Sequence, residues 1–178
     1  KLLDAPHTES FEQTAGHVRF LVTDAIERQL VSDVPLGTFL SGGLDSSLIS
    51  ALASKSTNGA TLKTFSLTYR DNQRYFRASR FQPDSDDQYI GEMAGAIDNE
   101  HHIVTLEHTD LAKALFTAVD ARDLPGMADV DSSLLLFCKE IKRHVTVALS
   151  GECADEIFGG YPWYRDPAIR QQAGFPWA

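Results

Sequence analysis

Short apolar runs and stretches of helical periodicity follow one another four times along this chain, and few architectures accommodate that order. Phe11, Ala15, Val18, Val22, Ala25 and Ile26 recur at spacings of three and four, which predicts a helix from Phe11 to Val31. Ser10 with Gln13 supplies a capping box at its start. Val34 to Leu40 is a short apolar run read as a strand, with Pro35 near its beginning, where a strand tolerates it. Leu44, Leu48, Ile49 and Leu52 return to helical spacing. Asn58-Gly59 marks a turn. A strand is expected from Lys63 to Tyr69, a helix from Asp86 to Ile97 with Tyr89, Ile90, Met93 and Ile97 inward, and a strand from His101 to Leu106. Helices over Asp110–Ala121 and Ser132–Arg143 and a strand over Val145–Leu149 complete the order. The alternation predicts an α/β domain, an open parallel sheet with helices on both faces.

Between these elements, residues 70–85 lack periodicity and read as a long mobile loop, and Asp123 to Asp131 as a loop over Pro125-Gly126. Residues 162–178 form a tail without a clear element. The whole, 1–178, is the size of one domain. Its charges, 16 Lys and Arg against 25 Asp and Glu, sum to −9, which disfavours nucleic-acid phosphates. No apolar run approaches the length of about 18 residues that a membrane helix needs. Two cysteines, Cys138 and Cys153, make no disulfide framework and no CxxC or HExxH zinc motif is present, in keeping with a cytoplasmic protein. The chain starts at Lys1 with no visible signal peptide, and is expected to be a truncated piece of something longer.

Ligands of open α/β sheets bind beyond the carboxyl ends of the strands, where strand order reverses. Two segments there carry chemistry. Ser41-Gly42-Gly43-Leu44-Asp45-Ser46-Ser47 joins a strand to a helix. Its glycines admit backbone N–H groups close to a bound group, the helix start adds donors and a positive dipole end, and three hydroxyls add more. It reads as a phosphate cradle without the lysine of the common P-loop, and Asp45 then points to a divalent metal. The same residues also suit a tight turn with Asp45 or Ser46 as helix cap. Ser150-Gly151-Glu152-Cys153-Ala154-Asp155-Glu156 follows the last strand and sets three acids within five residues, an arrangement fit for Mg²⁺ with phosphates or for a solvated acidic helix start. If both segments line one crevice, their strands should be neighbours. His101-His102 reads as structural and Cys138 as a small buried hydrophobe.

FLSGGLDSS, Phe39 to Ser47, resembles the pyrophosphatase loop of the N-type ATP-pyrophosphatases, shared with synthetases of GMP and NAD. SDVPLG, Ser32 to Gly37, and LSGECADEIFGGYPWY, Leu149 to Tyr164, narrow the likeness to the synthetase domain of glutamine-hydrolysing asparagine synthetases, over about Ala25 to Tyr164. Where that family commonly has Gly, this chain has Cys153. Restoring glycine there is expected to be near neutral, at most loosening the backbone slightly.

The resemblance implies that ATP adenylates the side-chain carboxylate of aspartate, giving β-aspartyl-AMP and pyrophosphate, and that ammonia then releases asparagine and AMP. It places Ser41, Gly42, Gly43, Asp45, Ser46 and Ser47 on the pyrophosphate, with Leu40, Leu67, Ser150 and Gly151 framing adenine and ribose. Glu152, Asp155 and Tyr161 fall at the aspartate end. Asp45, Glu152 and Asp155 take the catalytic roles, and Asp45 and Asp155 would be ligands of Mg²⁺. It further implies an N-terminal glutaminase domain, whose nucleophilic Cys is absent here, and a C-terminal helical part carrying a lysine. Nitrogen from glutamine or ammonia would come from those parts. This piece alone is then expected to be inactive, and a homodimer is compatible with it. A relative adenylating another carboxylate, such as a β-lactam synthetase, and a nucleotide-binding fragment without turnover are the alternatives.

Overall fold

The computed structural model describes residues 7–56, 60–78 and 84–171. Four parallel strands, β1 (Leu36–Phe39), β2 (Leu62–Tyr69), β3 (Asn99–Leu106) and β4 (Val147–Leu149), form one sheet in the order β3-β2-β1-β4. The chain leaves β1 first toward β2 and β3, then returns to lay β4 on the other side of β1. Strand order therefore reverses between β1 and β4, the two strands whose carboxyl ends carry the two chemical segments, as the sequence required.

Successive residues of β1 show how the helices divide between the faces. Thr38 meets Ser50 of α2 (Leu44–Ser56) through its hydroxyl, and the next residue, Phe39, packs its ring 5.0 Å from Phe137 of α6 (Ala128–Ile141). Neighbouring side chains of a strand point oppositely, so α2 and α6 cover opposite faces. On the α6 side the core is Phe65, Phe137, Ile141 and Val145, with Phe39, Leu67, Val104 and Ala148 packed around it. The helix α5 (His108–Arg122) lies against α6. On the other side Asn99 ties α4 (Asp87–Ala96) to the sheet. Its amide donates to the carbonyls of Ala94 and Ile97, and its oxygen accepts from Thr64 at 2.7 Å.

The expected capping box of Ser10 and Gln13 opens α1 (Phe11–Gln29), but the apolar stripe behind it is not a buried face. Of the apolar positions named on α1 only Ile26 is buried, and Phe11 is 83% exposed. The first strand is shorter than expected, because Pro35 has no N–H for the ladder and joins it only by its carbonyl, which accepts from Thr146 and Val147. The helix α6 starts at Ala128, inside the expected loop. Ser132 and Ser133 bond back to the carbonyls of Ala128 and Asp129, so they sit within the first turns and do not cap them. Residues 70–85 contain a short helix, α3 (Asn72–Tyr75). After α7 (Ala154–Phe158), the described part of the tail, up to residue 171, contains single turns α8 (Pro162–Arg165) and α9 (Pro167–Arg170), each begun by a proline at its first position. Of α4's apolar residues Ile90 is buried while Tyr89 is exposed, and Cys138 is exposed on α6, not buried. Asn58-Gly59, residues 79–83 and the last seven residues lie outside the described residues. No helix among the described residues is long and apolar enough to cross a membrane.

Candidate functional site

The loop Ser41–Gly43 leaves β1 at Leu40, which is 1% exposed and fixed by its own backbone. Its N–H donates to Phe65 O at 2.8 Å, and its carbonyl accepts from the hydroxyl of Ser66. Leu40 thus floors the loop on the α2 side of the sheet, while Leu67 packs on the core of the α6 side. Gly42 turns the chain with φ of +83°, where a side chain is strained. A Cβ there would also lie 3.1 Å from the carbonyl oxygen of Asp86 and 3.0 Å from Cβ of Tyr89, so the loop rests on the beginning of α4.

Within the loop the hydroxyls are wired together. Ser41 N–H donates to Ser46 Oγ at 3.2 Å, the Ser41 and Ser46 hydroxyls lie 2.9 Å apart, and Ser46 donates to the Gly43 carbonyl at 3.2 Å. Ser47 N–H closes on Gly43 O at 3.1 Å and starts the helical bonding of α2. Asp45, in the first turn of α2, is half-buried, and its carboxylate has no hydrogen bond or ion pair among the described residues.

Ser150 to Cys153 leads from β4 into α7, and it meets the first loop at Gly151. A Cβ on Gly151 would stand 3.0 Å from Cβ of Asp45 and 3.3 Å from N of Ser46. The two sequence-predicted segments are therefore in contact, backbone against helix start. Ser150 Oγ accepts from Glu152 N–H at 3.2 Å, and Gly151 O accepts from Ala154 N–H. Cys153 sits between them with φ of +70°, an exposed thiol in the left-handed region that glycine occupies without cost.

Glu152 and Glu156 are exposed and Asp155 is half-buried. Asp155 packs on Gly160, where any Cβ would overlap its carboxylate, and its carbonyl accepts from Gly160 N–H at 3.0 Å. The Tyr161 hydroxyl donates to Glu156 at 3.0 Å, not to Glu152 or Asp155, and this bond pushes the phenol above its ordinary pKa. Its ring stacks 4.2 Å from Trp163. Sequence reasoning missed Arg165, whose guanidinium donates to Gly160 O at 2.6 Å and brings a cation to the acidic segment. An arginine shortly after an acid-rich loop was the available signal.

Other candidates are occupied elsewhere. Asp131, 8% exposed, takes the guanidinium of Arg122 and so locks the α5–α6 turn; it is not directed to the two loops. His101 bonds Thr64 through Nδ1 at 2.8 Å, and His102 stacks on Phe65, as structural residues do. Among the described residues no three His, Cys, Asp or Glu side chains converge as a metal site. The chemistry of the donor set nevertheless suits Mg²⁺: hard carboxylate oxygens from Asp45 and the second segment, with room left for phosphate and water ligands. The close glycines, the unused first-turn N–H groups of α2 and the carboxylates beside them can together hold a polyphosphate and the cation that accompanies it.

Residues 17–178 match the asparagine synthase family. The chain is 53% identical over 174 residues to asparagine synthetase [glutamine-hydrolyzing] 3 of Bacillus subtilis strain 168, covering 96% of this chain and 28% of that protein. It is 39% identical over 156 residues to asparagine synthetase [glutamine-hydrolyzing] 1 of the same strain, covering 88% of this chain and 23% of that one. The chain thus spans less than a third of the length of these curated relatives. Among solved structures, the glutamine-dependent NAD+ synthetase of Acinetobacter baumannii in complex with adenosine diphosphate aligns with a TM-score of 0.49 at 18% identity, over 92% of this chain and 30% of that one. At that score the likeness carries no argument about function.

Proposed function

The chain belongs to the asparagine synthase family, and from that premise we propose that it is the ATP-cleaving part of an enzyme that makes asparagine from aspartate. A side-chain carboxylate oxygen of aspartate attacks the α-phosphorus of ATP, the bond to pyrophosphate breaks, and β-aspartyl-AMP forms. Ammonia, released from glutamine or taken free and supplied from outside these residues, then adds to the activated carbonyl. AMP leaves with the electron pair of the broken C–O bond. A cytoplasmic setting belongs to the same proposal.

One observation carries this reading: the contact of Gly151 with Asp45 and Ser46 at the β1–β4 reversal. It brings the segment that carries Glu152 and Asp155 against the start of α2, which supports reading the two loops as one site. Backbone N–H groups of the loop and of the α2 start would stabilise charge growing on the leaving pyrophosphate. Asp45 and Asp155 would hold Mg²⁺, which when bound would supply further neutralisation of that charge. Glu152, Asp155 and Tyr161 lie on the segment that would orient aspartate, its ammonium drawn by the carboxylates. Ser150 and Gly151, with Leu40 after β1 and Leu67 of β2, would frame the nucleoside.

The test is aspartate-dependent exchange of labelled pyrophosphate into ATP by the full-length protein. Wild type exchanges with aspartate and not with other small carboxylates. Asp45→Asn lowers the rate on the order of 10² to 10³ while the protein stays folded, the magnitude expected for one group lost from a preorganised charge site. Near-normal exchange in Asp45→Asn, or exchange indifferent to aspartate, overturns the reading.

A further inference from the structure

We infer that Ser66 is a positioning residue of this site: its hydroxyl ends the pairing of β1 with β2 one rung early and keeps the two strands parted where the Ser41–Gly43 loop begins. The inference deepens the proposed function and rests on it for what the opening serves.

Parallel strands are joined by evenly spaced rungs, in which backbone carbonyls accept from backbone N–H groups of the neighbour. The matched register of β1 and β2 stops at the pair Phe39 and Phe65. One residue further, Leu40 N–H still donates to Phe65 O at 2.8 Å. The reciprocal rung would run from Leu67 N–H to the Leu40 carbonyl, and it is not made. That carbonyl accepts instead from the Ser66 hydroxyl. The direction of this bond is fixed by chemistry, since a carbonyl oxygen has no hydrogen to give. Ser66 is 2% exposed and Leu40 1%, so neither group can turn to bulk water instead.

Replacing a main-chain donor by a side chain has two effects here. The Leu40 carbonyl belongs to the same planar peptide unit as Ser41 N–H, so holding the carbonyl sets the direction of the first amide of the loop. Leu67 N–H, deprived of its rung, stays away from β1, and Leu40 and Leu67 do not close on each other. These are the two strand-end residues that the proposed function sets about the nucleoside. Phe65 and Leu67, on either side of Ser66 in β2, belong to the α6 side of the sheet, so Ser66 alone of the three faces Leu40.

Amide hydrogen exchange of the full-length protein without nucleotide, resolved to single residues and corrected for intrinsic rates, tests this. In the wild type the Leu67 amide exchanges roughly five- to tenfold faster than the Phe65 amide, the size expected for one net hydrogen bond, although both point toward β1. In Ser66→Ala the Leu40 carbonyl loses its donor, the rung closes, and the Leu67 amide slows by about the same factor while Phe65 keeps its rate. Loss of a merely structural residue would speed both amides and slow neither. Equal protection of Leu67 and Phe65 in the wild type overturns the inference, and this comparison decides should the variant not fold. A Leu67 amide that is unchanged or faster in Ser66→Ala overturns it too. With the strands closed, pyrophosphate exchange falls at least about tenfold; a slowed Leu67 amide with normal pyrophosphate exchange removes the positioning role. Absence of pyrophosphate exchange in the wild type overturns the proposed function instead, and the amide rates still decide what Ser66 does to the rung.

Discussion

The hydroxyls of Thr38 and Ser50 meet at 2.8 Å with both residues at 0% exposure, a buried polar clasp between β1 and α2. Such a bond is modest in net worth, but leaving one partner alone is costly, since the other then has neither water nor a mate. Ser50→Ala is expected to lower stability by about 1–3 kcal/mol. Thr38→Val added to it recovers much of that loss, because both polar groups then leave together. Urea midpoints of the two variants check the order. A double variant less stable than Ser50→Ala would mean that the pair contributes by shape alone.

Gly151→Ala places a methyl 3.0 Å from Cβ of Asp45 and 3.3 Å from N of Ser46. The neighbours are a side-chain stem and a helix backbone, neither of which yields easily, so the two loops must separate by a few tenths of an ångström. Displacement on that scale at a reacting centre costs more in rate than in stability. Pyrophosphate exchange is expected to fall at least about tenfold with the melting temperature little changed. Equal loss of both would mean that the contact only holds the fold.

The structure reverses one sequence-based expectation. Cys153 at φ +70° is in the region where a Cβ costs about 1–2 kcal/mol, more than the roughly 0.5–1 kcal/mol by which glycine is disfavoured through chain entropy. Cys153→Gly should therefore stabilise the protein by a few tenths to about 1 kcal/mol, not loosen it. Thermal unfolding under reducing conditions decides the sign.

His101 is held below the ordinary imidazole pKa of 6.5 by burial first and by His102 beside it second. The folded state then binds fewer protons here than the unfolded chain. Stability is full above the unfolded value and declines as pH falls through 6.5 toward the lower folded pKa. His101→Gln removes that contribution and flattens the stability profile between about pH 7 and 5. A wild-type profile with the same slope as the variant would show that His101 titrates alike in both states.

Much of this was legible in the chain because the signals were local. The strand and helix order follows from spacing, and the neighbour relation of β1 and β4 follows from asking where SGGLDSS and SGE must meet. The start of α6 was missed because Ser132 and Ser133 look like caps, yet they bond backward to Ala128 and Asp129 and continue the helix. On α1 the periodicity predicts the helix correctly, but it reports a face and not what covers it, and Phe11 and Val18 remain exposed. The acceptor of Tyr161 and the role of Arg165 depend on the turn at Gly159–Gly160, whose geometry no spacing rule conveys.

The strand pairings also differ in extent. β2 and β3 are matched along eight residue pairs, whereas β1 is matched along three with β2 and three with β4. β4 is a three-residue edge strand held only by β1, and that pairing is the one that brings Gly151 against Asp45. Proteins open first where least is joined, in units smaller than the whole. A transient parting of β4 from β1 would leave the rest of the sheet paired and the two loops out of reach of each other. On the proposed reading of the site, such a local opening would separate the two loops without global unfolding, and mild denaturant is expected to lower pyrophosphate exchange before the far-ultraviolet signal of the helices begins to fall.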